Sequence, residues 1–98
     1  MQFLVIARVV EGTPVENLLP LVKPESAKIW EYYAADSIRG VYYIADMSGA
    51  VLIYEAANLE SVQAAVTQLP MVQSGVLQTE ILPLKPYTGI KELFAQPG

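Results

Sequence analysis

The side chains of this sequence whose types and placement could do chemistry together are Arg8, Tyr42, Asp46, Glu55, Gln78 and Glu80. The chain contains no Cys and no His, so thiol nucleophiles, imidazole bases, disulfides and the usual zinc ligand sets are excluded. Carboxylates and phenols remain as acid–base groups, with guanidinium and amide groups to hold a polar ligand. Lys23, Lys28, Lys85 and Lys91 sit in no Schiff-base motif, the glycines form no phosphate loop, and no calcium-type spacing of carboxylates occurs. No cofactor and no metal are expected.

Each of these residues also has a plain structural reading. Arg8 and Glu80 would make an ion pair across neighbouring strands. Asp46 would be a hairpin-end carboxylate bonded to its own turn. Tyr42 and Glu55 are the stronger site candidates. Trp30, Tyr32 and Tyr33 cluster on one helix, where core packing and a wet helix edge explain them more cheaply than the entrance for a flat ligand.

The elements that must position these residues follow from periodicity. Gln2 to Val10 reads as a strand, ending at the Glu11-Gly12-Thr13-Pro14 loop, with Thr13 as a helix N-cap and Glu16 reaching back to it. Pro20 and Pro24 predict a short turn, a break and then a helix from about Pro24 to Ala35. That helix would carry Ser26, Ile29, Trp30 and Tyr33 on one face, with Glu25, Lys28, Glu31 and Tyr32 elsewhere. Ile38 to Met47 and Ala50 to Ala56 read as a hairpin around Ser48-Gly49. Asn58 caps a helix through about Leu69, and Val76 to Leu84 is a fourth strand. The order is βαββαβ in a single domain, residues 1–98, with a docking tail from about residue 86 that carries Ile90, Leu93 and Phe94.

An antiparallel four-stranded sheet with both helices on one face leaves the other face bare. A two-residue turn at Ser48-Gly49 pairs Tyr42 with Glu55, Ile44 with Ile53 and Asp46 with Val51, all on that bare face. Gln2, Leu4, Ile6 and Arg8 join them from the first strand, and Val76, Gln78, Glu80 and Leu82 from the last. Such a face is too apolar for water, so a second copy is expected to cover it, enclosing a pocket lined by Arg8, Tyr42, Asp46, Glu55, Gln78 and Glu80.

Composition agrees with a self-associating domain. The apolar fraction is 53%, the charged fraction only 16% and the net charge −4, so polar cover is scarce and a phosphate-binding basic patch is absent. The expected partner is a second copy of the chain, with a possible small-molecule ligand and neither nucleic acid nor membrane. With no export signal and no apolar run of about 18 residues, the expected location is cytoplasmic.

The stretch VLIYEAANLESVQAAVTQLPMVQSGVLQTEILPL, Val51 to Leu84, resembles the second half of muconolactone isomerase and its relatives in the dimeric α+β barrel superfamily: strand, Asn or Ser cap, helix, Leu-Pro, short link, strand. The resemblance implies a ferredoxin-like monomer whose sheet pairs with another into a barrel, and an ancestral proton shift within a small unsaturated lactone. Relatives include monooxygenases, dehalogenases and decarboxylases. The resemblance carries over no catalytic residue; a proton shift here would have to use a carboxylate or phenol as base, for which Glu55, raised by desolvation, is the candidate, with Tyr42 or Arg8 to stabilise the enolate. The expectation is a cofactor-independent isomerase-like enzyme acting by proton transfer on a small unsaturated lactone or carbonyl compound. The alternative is a non-catalytic ligand-binding or oligomeric scaffold protein.

Overall fold

Alternation along the first strand sends Phe3, Val5 and Ala7 to one side, where they are buried, and Leu4, Ile6 and Arg8 to the other. The computed structural model, which describes residues 1–96, builds on that division. Its elements are β1 (Gln2–Val9), α1 (Val15–Ala34), β2 (Ile38–Tyr43), β3 (Gly49–Glu55), α2 (Leu59–Thr67), α3 (Pro70–Gln73) and β4 (Leu77–Leu84), followed by a 3-10 turn at Gly89–Leu93. The strands form one antiparallel sheet in the order β2-β3-β1-β4. Phe3, Val5, Leu52 and Tyr54 of the sheet pack with Val62 and Val66 of α2, and Ile29 and Tyr32 of α1 close the cluster. The helices therefore share one face, as the ferredoxin-like expectation requires.

Several boundaries differ from the sequence reading, each for a local reason. Pro20 and Pro24 do not break the helix: α1 runs unbroken from Val15 to Ala34. Both prolines are exposed, as is Glu16, so the carbonyls left without an N–H partner lie on the solvent side. Thr13 is not the cap. Pro14 takes that place with extended backbone, and the Thr13 hydroxyl donates to the Val10 carbonyl at 2.6 Å. Asn58 does cap α2, its Oδ1 accepting from the Ser61 amide at 2.9 Å. Pro70 then opens α3 at its first position. Val76, expected on the bare face, is buried just ahead of β4, where its carbonyl accepts the Val10 amide.

The hairpin departs most. Its loop spans Ile44 to Ser48, because the Asp46 carboxylate accepts the Ser48 amide at 2.9 Å and Met47 takes a φ of 62°. Gly49 is not the turn residue. It lies against β1 so closely that a Cβ there would collide with the Ala7 carbonyl oxygen. Tyr42 consequently pairs with Val51, not Glu55. The slip is four residues, an even number, so Tyr42 stays on the expected face. A bulge between Ile38 and Gly40 then turns Ile38 into the core.

Candidate functional site

On the open sheet face, pairing sets the sequence-derived candidates in rows. One row runs Tyr42, Val51, Ile6, Glu80, and the next towards the hairpin loop runs Gly49, Arg8, Gln78. Leu4, Ile53 and Leu82 follow on the other side, and Gln2, Glu55 and Leu84 end the face. Arg8, Gln78 and Glu80 are thus brought together on adjacent strands, with Tyr42 in Glu80's row on the opposite edge strand. The Tyr42 ring lies over Gly40, where a Cβ would stand 3.0 Å from its Cε2. Among the described residues Arg8 and Glu80 form no ion pair. Asp46 is in the hairpin loop, where the Ser48 hydroxyl first and the Ser48 amide second hold its carboxyl below the usual range.

Glu55 stands apart from this group. It pairs with Gln2 at the far end of β3, four residues from Tyr42's partner Val51, about 13 Å along the strand. The Met1 amino group lies 3.1 Å from its carboxylate and lowers its pKa. The adjacency of Glu55 and Tyr42 is corrected, because a longer hairpin loop separates the two; in the single chain the amino group favours the charged carboxylate.

The helix side of the sheet holds a carboxylate that the sequence reading placed elsewhere. Glu25 of α1 is only 7% exposed. Its Oε1 accepts the Met71 amide from α3 at 2.9 Å. Burial raises its pKa, and that hydrogen bond opposes the rise in part. Glu25, Ile29 and Tyr32 are spaced by four and three, and the latter two pack on the core; this spacing was the available signal. Pro24 concealed it by suggesting a helix start one residue earlier.

Nearby is Tyr54, 1% exposed, whose hydroxyl has no hydrogen-bond partner among the described residues. Burial raises its pKa strongly, and the Tyr32 and Glu25 charges add to the rise. Tyr32, with its ring centroid 6.3 Å from that of Tyr54, is satisfied by donating to the Ala65 carbonyl at 3.2 Å. The core thus holds one carboxyl of raised pKa and one phenol without a hydrogen-bond partner among the described residues.

A groove opens beside this core between α1 and the β2–β3 hairpin, with a volume of about 430 Å³. Trp30 and Tyr33, stacked at 5.9 Å between centroids, form one wall, and Val41, Tyr43 and Ala50 the other. Ile29 belongs both to the groove and to the shell of the core, one helical turn from Glu25. Tyr32, grouped with Trp30 and Tyr33 on sequence grounds, turns inward instead. Among the described residues no group of three carboxylates is placed to hold a metal ion, and no helix is long and apolar enough to cross a membrane.

No family model and no curated protein matches the sequence. Solved structures do match. A 5-chloro-2-hydroxyhydroquinone dehydrochlorinase from Burkholderia phenoliruptrix, in complex with 2,5-dihydroxybenzoquinone, superposes with a TM-score of 0.75 at 21% identity, over 87% of this chain and 94% of that one. Muconolactone isomerase superposes with a TM-score of 0.74 at 18% identity, over 91% of this chain and 93% of that one. The sheet order, the helices on one face and these superpositions together give the chain the α+β fold of muconolactone isomerase.

Proposed function

We propose that this chain is a cofactor-independent, isomerase-like enzyme that moves a proton within a small unsaturated lactone or carbonyl compound, with Glu25 as the base and the Tyr54 hydroxyl as the donor to the developing enolate. The observation that carries this reading is the Glu25 carboxyl, buried, raised in pKa and held through one oxygen only. Its Oε2 has no hydrogen bond among the described residues and is free to take a proton. A carbon acid next to a carbonyl gives its proton to this oxygen, the electron pair moves onto the carbonyl oxygen, and the same carboxyl returns the proton to a different carbon. The Tyr54 O–H, with no competing partner, would stabilise the intermediate oxyanion.

The two structural neighbours are named for chemistry on small oxygenated ring compounds, which favours a ligand of that class here. A non-catalytic binding role would rest on the α1–β2 groove, whose lining includes neither Glu25 nor Tyr54, and differs in one outcome: ligand binds with no proton exchange. Solvent deuterium incorporation into muconolactone, followed by NMR with wild type and Glu25→Gln, separates the two.

The open sheet face supports a homo-oligomer as part of the proposal. Leu4, Ile6, Val51 and Ile53 occupy its centre and are partly exposed, with Arg8, Gln78 and Glu80 at one end and Glu55 at the other. An apolar centre with a polar rim is the anatomy of a protein interface. In such an assembly Arg8, Tyr42, Gln78 and Glu80 would line the seam between two sheets.

A further inference from the structure

The N-terminal half of α1 carries an apolar face that its own domain leaves uncovered. Val15 is 62% exposed, Leu19 65% and Val22 47%, and the small, exposed Ser26 continues the line. On an α-helix these four side chains fall within about 60° of one another, and the middle of the face stands about 90° from Glu25, which marks the buried side. Their steps of four, three and four residues follow a seven-residue repeat, the spacing with which one helix packs along another. Pro20 and Pro24 lie more than about 100° round the helix and leave the face clear.

Two opposite charges border this face on the side away from the core. Glu16 and Lys23 stand about two turns apart on the same flank, both exposed, and among the described residues neither makes an ion pair within the chain. Such flanking charges choose the partner and its direction. A parallel helix would bring Glu16 and Lys23 against positions equivalent to Leu18 and Glu25, which turn towards the chain's own core. An antiparallel helix sets like flanks side by side, so that an acid at one position meets a base about two turns on.

We propose that α1 of one copy packs antiparallel on α1 of a second copy of this chain through Val15, Leu19, Val22 and Ser26. Leu19 meets the partner's Val22, Val15 meets the partner's Ser26, and Glu16 faces the partner's Lys23. The twofold axis repeats each contact, so two ion pairs close one seam. The occupant is a second copy because the face, reversed, complements itself in charge and in size. Four side chains are far fewer than the roughly 20–30 residues a side of a standard interface, so the contact adds to another. It joins pairs formed on the open sheet face into a larger assembly, and to that extent it rests on the homo-oligomer reading above, though not on the catalytic one.

Sedimentation velocity over a concentration series tests this contact. Glu16→Lys and Lys23→Glu each turn two attractive pairs into two repulsive ones, and each should weaken association about tenfold. Both positions are exposed, so both variants should fold as wild type does. Mixing the two variants in equal amounts should restore the wild-type sedimentation coefficient, since each presents the charge that the other lacks. No contact within one chain produces that recovery. Unchanged sedimentation of both variants, as for a face reserved for a different protein, would overturn the proposal, and so would variants that stay dissociated after mixing. The sheet-face reading fails separately: Ile53→Asp would then leave the sedimentation coefficient unchanged while the charge pattern persists, whereas failure of the helix contact leaves the charge variants unchanged while Ile53→Asp lowers it.

Discussion

The Glu25 carboxylate of α1 accepts the backbone amide of Met71 in α3 at 2.9 Å, tying together two helical elements 46 residues apart in sequence. The bond orients the carboxyl without neutralising it, and burial outweighs it in setting the pKa. A residue that served structure alone would be better as Gln, which can accept the same bond and carries no charge to desolvate.

That comparison gives a prediction with a definite sign. A carboxyl whose folded-state pKa is raised contributes stability that is fully present below its ordinary value of 4.5 and is lost as pH rises through the folded value. Glu25→Gln removes this dependence. Thermal melts should show the variant equal to wild type near pH 4 and more stable above the raised pKa. A variant less stable than wild type at pH 8 would mean that the charged form is favoured by the fold.

Tyr54→Phe deletes a buried hydroxyl that has no partner. Relief of that unsatisfied group should stabilise the protein by about 1 kcal/mol, a rise of roughly 4 °C or more in melting temperature. Deuterium exchange into muconolactone should fall about 100-fold in the same variant. Greater stability with lower activity is the pattern of a group kept for chemistry.

Ile53→Asp puts a charge at the centre of the open sheet face, beside Leu4. Sedimentation velocity should shift the variant to a smaller species than wild type at equal concentration. An unchanged sedimentation coefficient would rule out this face as the interface.

Asn58→Ala removes the side-chain acceptor of the Ser61 amide at the start of α2. The expected loss is about 1 kcal/mol, read as a lower midpoint in urea with an unchanged slope.

The fold was legible because strong periodicities carried it. β1 alternates cleanly, and Asn58, Val62 and Val66 mark the capped helix and its buried face. Even the misread hairpin kept its faces, since an error of four residues preserves parity. The loop itself was illegible: a Gly after Ser48 reads as a turn residue, whereas Gly49 serves the approach of Ala7 and Met47 takes the positive φ. The site was hidden for a related reason. Glu25 follows Pro24, which suggests a helix start where acidic residues ordinarily face solvent, and only the unbroken helix shows that it points inward. The direction of the Glu55 pKa depended on the amino terminus beside it, a contact between residues 1 and 55 that no local pattern reports.

The direct measurement of the central claim is NMR of muconolactone in deuterium oxide with wild type, Glu25→Gln and Glu55→Gln. Wild type should incorporate deuterium at the carbon next to the carbonyl, Glu25→Gln should lose that exchange by at least about 100-fold, and Glu55→Gln should retain it. Full exchange in Glu25→Gln, or its loss in Glu55→Gln alone, would contradict the assignment of Glu25 as the base.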